Sequence, residues 1–161
     1  MEKPTSSSPS SLDQMAEEIF SLTVMSWRQR LAAKHDTELS ESQYLTMEAL
    51  VGSEAALTVG EIQRAIGVLP AQMSRIIRSL ETGFDKPLIR CELNQHDKRK
   101  IDVHLLPEGR AVYDEFRHTR LSKTVEILKN LSERDRTEFV RICRRIRELV
   151  PADRAESAAG G

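Results

Sequence analysis

Two short stretches carry side chains suited to a polyanion. In the first, Met73, Ile76, Ile77 and Leu80 recur at helical spacing and form one face. The opposite face is Ala71, Gln72, Ser74, Arg75, Arg78 and Ser79. The amide of Gln can pair bidentately with adenine, the guanidinium of Arg with guanine, and a Ser hydroxyl can serve a base or a phosphate. The second stretch is Asp97-Lys98-Arg99-Lys100, which closes the wholly polar loop Asn94–Lys100 with three cations. Alone, the first stretch reads as a solvated amphipathic helix. The basic loop directly after it moves the reading toward nucleic acid.

The charge distribution agrees. Over all 161 residues the net charge is −1, which argues against coating nucleic acid by bulk charge. Residues 71–100, however, hold seven basic and four acidic side chains, a net of +3, whereas residues 1–70 hold five and ten, a net of −5. A local basic patch on a near-neutral chain suggests a docking surface for a polyanion.

The elements that must position these residues are mostly helical. Leu12, Met15, Ile19, Phe20, Leu22, Val24, Trp27 and Leu31 predict a first helix over about 12–34. Ser40-Glu41-Ser42-Gln43 has the form of a capping box and opens a second helix to about Val51. Thr58-Val59-Gly60-Glu61 is another, opening a short third helix that Gly67 stops. Pro70 suits the first turn of a fourth helix running to about Thr82, because its missing N–H has no partner to lose there. The period then changes to that of two strands, Leu88–Leu93 and Ile101–Leu105. A long helix follows over about 108–130, and Ser132 caps a last helix. On that helix Phe139, Ile142, Cys143, Ile146, Leu149 and Val150 make an apolar stripe. Residues 1–11 and 151–161 read as a disordered leader and tail around one domain, 12–150. Aromatics are only 4%, so the core is expected to be aliphatic.

Other chemistries find little support. Residues 1–161 contain no Gly-rich phosphate loop, nucleophile elbow or His-Glu metal motif, so an enzyme is not expected. His35, His96, His104 and His118 are scattered, and no metal or cofactor is expected. Cys91 and Cys143 read as buried and inert, with Cys91 beside Arg90 the one candidate for a reactive thiol. There is no secretory signal and no membrane-length apolar run, so a cytoplasmic protein without membrane partners is the default expectation.

The order helix, helix, helix–turn–helix, basic hairpin, helix, helix resembles the MarR-type winged helix–turn–helix regulators. The resemblance is carried by Leu57-Thr58-Val59-Gly60-Glu61-Ile62, Gly67-Val68, Met73-Ser74-Arg75-Ile76-Ile77 and Leu80-Glu81. It continues through Leu88-Ile89-Arg90, Asp97-Lys98-Arg99-Lys100-Ile101 and Val103-His104-Leu105-Leu106-Pro107-Glu108-Gly109. It implies a mainly α fold with a two-stranded β wing and about six helices, in an interlocked homodimer. Segments 12–38 and 108–150 would form the dimerisation region, with Ile19, Phe139, Ile142, Ile146 and Leu149 at the interface. Segment 39–107 would be the DNA-binding lobe. Ala71, Gln72, Ser74, Arg75 and Arg78 would enter a major groove. Asp97 would hold Arg99, Arg99 would probe the flanking minor groove, whose narrowness concentrates negative potential, and Lys98 and Lys100 would meet phosphates. The implied function is a transcriptional regulator, most simply a repressor, on an inverted-repeat operator in double-stranded DNA. The resemblance also implies release by a small-molecule effector. Trp27, Met25, Met47 and Tyr44 are candidates for its cleft, but each reads first as core or interface, and no ligand site is assigned.

Three departures stand out. Thr82–Pro87 is an insertion before the first wing strand that could tilt the hairpin. Gln63 sits where a small residue is usual. Leu69 replaces the usual capping residue of the fourth helix, a loss of about 1 kcal/mol. The alternative is a winged-helix module for protein–protein contact with a merely solvated basic tip; a DNA reader should point Arg75 and Arg99 out of the same face of the dimer, whereas in an interaction module that face should be apolar.

Overall fold

The computed structural model describes residues 11–32 and 39–150. Residues 1–10, 33–38 and 151–161, which include most of the expected leader, the whole tail and His35, lie outside the described residues. The chain divides into two compact units, Met1–Glu38 and Leu39–Gly161.

The first unit contains α1 (Leu12–Ala32). Its apolar residues Met15, Ile19, Phe20 and Leu22 are exposed, and Phe20 meets Trp27 edge-on at 6.5 Å between ring centroids.

The second unit runs α2 (Glu41–Gly52), β1 (Leu57–Thr58), α3 (Val59–Ile66), α4 (Pro70–Thr82), β2 (Ile89–Leu93), β3 (Ile101–Leu105), α5 (Pro107–Leu128) and α6 (Glu133–Leu149). Local chemistry sets these boundaries. The Ser40 hydroxyl accepts from the Gln43 N–H at 3.2 Å, and Gln43 Oε1 accepts from the Ser40 N–H at 2.7 Å. Thr58 and Glu61 repeat the arrangement at the start of α3. Gly67 ends α3 at φ 68°, a left-handed conformation that glycine adopts without a Cβ clash. Leu69 gives α4 no side-chain cap.

The sheet has three antiparallel strands in the order β1-β3-β2, one more than the expected hairpin. Leu57 pairs with Val103 and Thr58 with Asp102. Thr58 thus serves both as a strand residue and as the cap of α3, since an N-cap takes extended backbone angles. A strand of two residues leaves no alternation by which to see it.

The core joins all these layers. Met47 of α2, Ile62 of α3, Met73 and Leu80 of α4, Ile89 of β2 and Val103 of β3 are fully buried, together with Leu88. It is aliphatic apart from Tyr113 of α5. Gly109 brings α5 against the backbone at Leu88, just before β2, because a Cβ there would stand 2.1 Å from the Leu88 carbonyl oxygen. By contrast, α6 buries no residue within the chain.

Candidate nucleic-acid interface

The packing of α4 divides its side chains by chemistry. Met73, Ile76 and Leu80 point into the core, while Ala71, Gln72, Ser74, Arg75 and Arg78 are exposed. Gln72, Arg75 and Arg78 make no side-chain hydrogen bond or ion pair among the described residues. Ser74 donates to the Pro70 carbonyl at 3.1 Å, which leaves its lone pairs to accept. Ser79 differs from the sequence expectation. It is half-buried and accepts from Gln43 Nε2 at 2.8 Å, so it faces α2. The cause is Gln43, whose Oε1 is used by the capping box and whose amide N–H needs a separate acceptor.

The insertion after α4 is anchored at both ends. The Leu88 N–H donates to the Leu80 carbonyl at 2.9 Å, and the Cys91 N–H donates to Glu81 Oε1 at 3.2 Å. Phe84, within the insertion, packs against the core. The wing is therefore tied to the last turn of α4.

The hairpin tip is closed by the Asn94 N–H on the Lys100 carbonyl at 3.0 Å. Asp97 Oδ1 accepts from both the backbone N–H and Nε of Arg99, at 3.1 and 3.2 Å. The two Arg99 contacts, the backbone one foremost, hold the Asp97 carboxyl below the usual carboxylate range. The Arg99 side chain nevertheless stays 91% exposed. Lys98 is exposed and makes no side-chain hydrogen bond or ion pair among the described residues, whereas Lys100 stands 4.0 Å from Asp97 Oδ2. Asn94 and Asp102, which sequence reasoning did not single out, complete the tip through a hydrogen-bonded link. The signal for Asn94 was its place at the start of a polar turn, where Asn bonds the backbone two residues on.

The remaining candidates separate clearly. Arg90 pairs with Glu92 at 2.8 Å and so does not activate its neighbour Cys91. Cys91 is half-buried, and its thiol is pushed up to about 11, first by burial and then by the charge of Glu81. The raised thiol weighs against the alternative of Cys91 as a reactive thiol. Cys143 is half-buried as well, where a buried residue was expected. Met47 is wholly core. Tyr44 stacks on Tyr113 with ring centroids 5.1 Å apart and tilts against Phe116 at the same distance. Arg120 lies over Phe116, completing an aromatic column between α2 and α5. Desolvation, and then the hydrogen bond to Tyr113, push the Tyr44 hydroxyl up to about 12. Ile19, Phe139, Ile142, Ile146 and Leu149 are all exposed within the single chain.

A helix–turn–helix followed by an antiparallel wing defines a winged-helix protein. No family model matches the chain, and no curated protein sequence matches it. Solved structures do. YusO from Bacillus subtilis aligns with a TM-score of 0.64 at 22% identity, covering 86% of this chain and 99% of its own. A MarR family protein from Bacillus stearothermophilus aligns at 0.67 and 17%, covering 84% and 92%. BpsR from Bordetella bronchiseptica, whose DNA binding is regulated by 6-hydroxynicotinic acid, aligns at 0.55 and 21%, covering 80% and 98%. The fold of this chain is the MarR-type winged helix.

Proposed function

We propose that this protein is a sequence-specific, double-stranded-DNA-binding transcriptional regulator. It acts as a homodimer, most simply as a repressor, on an inverted-repeat operator. One observation carries the reading: on the MarR-type fold, the exposed face of α4 is polar and presents Gln72, Arg75 and Arg78 without partners among the described residues. A protein-docking module would expose an apolar face there. Gln72, Ser74, Arg75 and Arg78 read base edges and touch phosphates, with Ala71 closest to the helix start. Arg99, held by Asp97, enters the minor groove, where negative potential is highest. Lys98 and Lys100 contact phosphates.

A second copy covers the apolar stripe Phe139, Ile142, Ile146 and Leu149 of α6 and, on α1, Ile19. The exposure of these residues in the single chain supports that occupant, because an exposed apolar face marks an interaction site. A two-fold dimer places its half-sites about one helical turn apart, roughly 34–36 Å. An effector of the kind that regulates BpsR is part of the proposal, with no residues assigned to it. Among the described residues no helix is long and apolar enough to cross a membrane. A regulator of this type works in the cytoplasm.

Selection from a library of randomised duplexes tests the reading. The expected result is enrichment of an inverted repeat bound by two chains. A library that stays unenriched, even at low salt, would overturn it.

A further inference from the structure

The wing tip is held by a polar relay that begins in the middle of the sheet. Asp102 sits on the central strand, opposite Glu92 of β2 and Thr58 of β1. Two carboxylates directly across a ladder form an unfavourable pair, so an acid at this half-buried position needs a reason. Asn94 supplies it. Its Nδ2 donates to both Asp102 oxygens, at 2.9 and 3.0 Å. Its Oδ1 accepts from the backbone N–H groups of His96 and Asp97, at 2.9 and 2.8 Å. Only one orientation of the amide satisfies both ends, since the flipped one would set its oxygen against a carboxylate. Asp97, with its backbone fixed in this way, then accepts from Arg99. An unbroken hydrogen-bonded chain thus runs from Asp102 to an exposed guanidinium.

We propose that Asn94 and Asp102 are positioning residues for DNA recognition. Neither touches DNA; together they set where the Arg99 guanidinium stands before DNA arrives. A tip ordered in advance loses less conformational freedom on binding than a floppy one. The inference rests on the reading of Arg99 as a minor-groove probe.

The test compares two versions of the duplex selected by the wild-type protein. In the second version the flanking adenines are replaced by 2,6-diaminopurine. That base adds an amino group in the minor groove and leaves the major-groove edge unchanged. The ratio of the two dissociation constants reads the wing alone, because a general loss of structure weakens both duplexes together. The wild type is expected to show a ratio of roughly tenfold, the scale of one spoiled base contact, and Arg99→Ala a ratio near one. Asn94→Asp keeps acceptors for both tip N–H groups but faces the Asp102 carboxylate, so its ratio collapses toward one. Adding Asp102→Asn restores it, because the amide introduced at 102 now donates to the carboxylate introduced at 94. If Asn94→Asp does not fold, Asn94→Ser still accepts from the tip and lacks only the amide donor; its ratio falls too. Wild-type ratios in all the variants at 94 and 102, with Arg99→Ala reduced, would overturn the positioning role alone. A wild-type ratio in Arg99→Ala would overturn the minor-groove reading and this inference with it.

Discussion

Glu81, in the last turn of α4, accepts the backbone N–H of Cys91 in β2 through Oε1 at 3.2 Å. That bond spans the insertion that separates the candidate recognition helix from the wing and ties β2 to the last turn of α4. It also bears on the chemistry of the cysteine. Burial does most to push the Cys91 thiol up, and the Glu81 carboxylate beside it adds to the shift by opposing ionisation.

Glu81→Gln should therefore wake the thiol without freeing the strand, since the amide oxygen can still accept from Cys91. Burial remains, so the thiol falls only part of the way from about 11 toward the ordinary 9.0. In a Cys143→Ser background, alkylation at mildly alkaline pH should speed up severalfold. An unchanged rate would mean that Glu81 does not set the reactivity. The sign for stability follows the same shift. The fold favours the neutral thiol, so the contribution of Cys91 is intact below pH 9.0 and is lost as pH rises through about 11.

Asp97 is shifted the other way. Its folded carboxyl lies below the ordinary value of 3.8, so the tether to Arg99 contributes above that pH and is lost only as pH falls through the lower folded value. A carboxyl titration followed by NMR should place Asp97 below 3.8. Arg99→Ala should raise the midpoint only part of the way, because the backbone N–H at 99, the larger contributor, remains. A midpoint at the ordinary value in the wild type would contradict the tether.

The core makes two stability predictions. Leu80 is fully buried and its carbonyl holds the Leu88 N–H, so Leu80→Ala should destabilise by roughly 2–5 kcal/mol in urea unfolding. Gly109→Ala should cost roughly 1–3 kcal/mol, because the added Cβ would collide with the Leu88 carbonyl and push α5 off the wing. Wild-type stability in Gly109→Ala would show that this approach is looser than the geometry requires.

Ile142 lies within the exposed stripe of α6. Ile142→Glu should convert a dimer into a monomer in sedimentation equilibrium, with far-UV circular dichroism retained. A wild-type protein that sediments as a monomer at micromolar concentration would remove the two-fold operator from the account.

Much of this was legible in the residues because the signals are local. Ser40 and Thr58 announce their helices by reciprocal caps, Pro70 and Pro107 stand at first turns, and Ile101, Val103 and Leu105 alternate across one strand. The exposed polar face of α4 followed from the same periodicity. What escaped was non-local. Gln43 reaches Ser79 across 36 positions and Tyr44 meets Tyr113 across 69, and no spacing rule spans such gaps. Strand β1 is too short to alternate. The Asn94–Asp102 link needed the register of the hairpin before the two residues could be seen as neighbours.

The most direct test of the central claim is the salt-dependent affinity of the wild type and Arg75→Ala for the selected duplex and for a scrambled duplex. The account predicts that Arg75→Ala weakens binding to the selected duplex by roughly 1–3 kcal/mol, relaxes one base position and barely affects the scrambled one. Lys98→Ala should instead weaken both alike and flatten the salt slope. Equal losses for Arg75→Ala on the two duplexes would contradict base reading by α4.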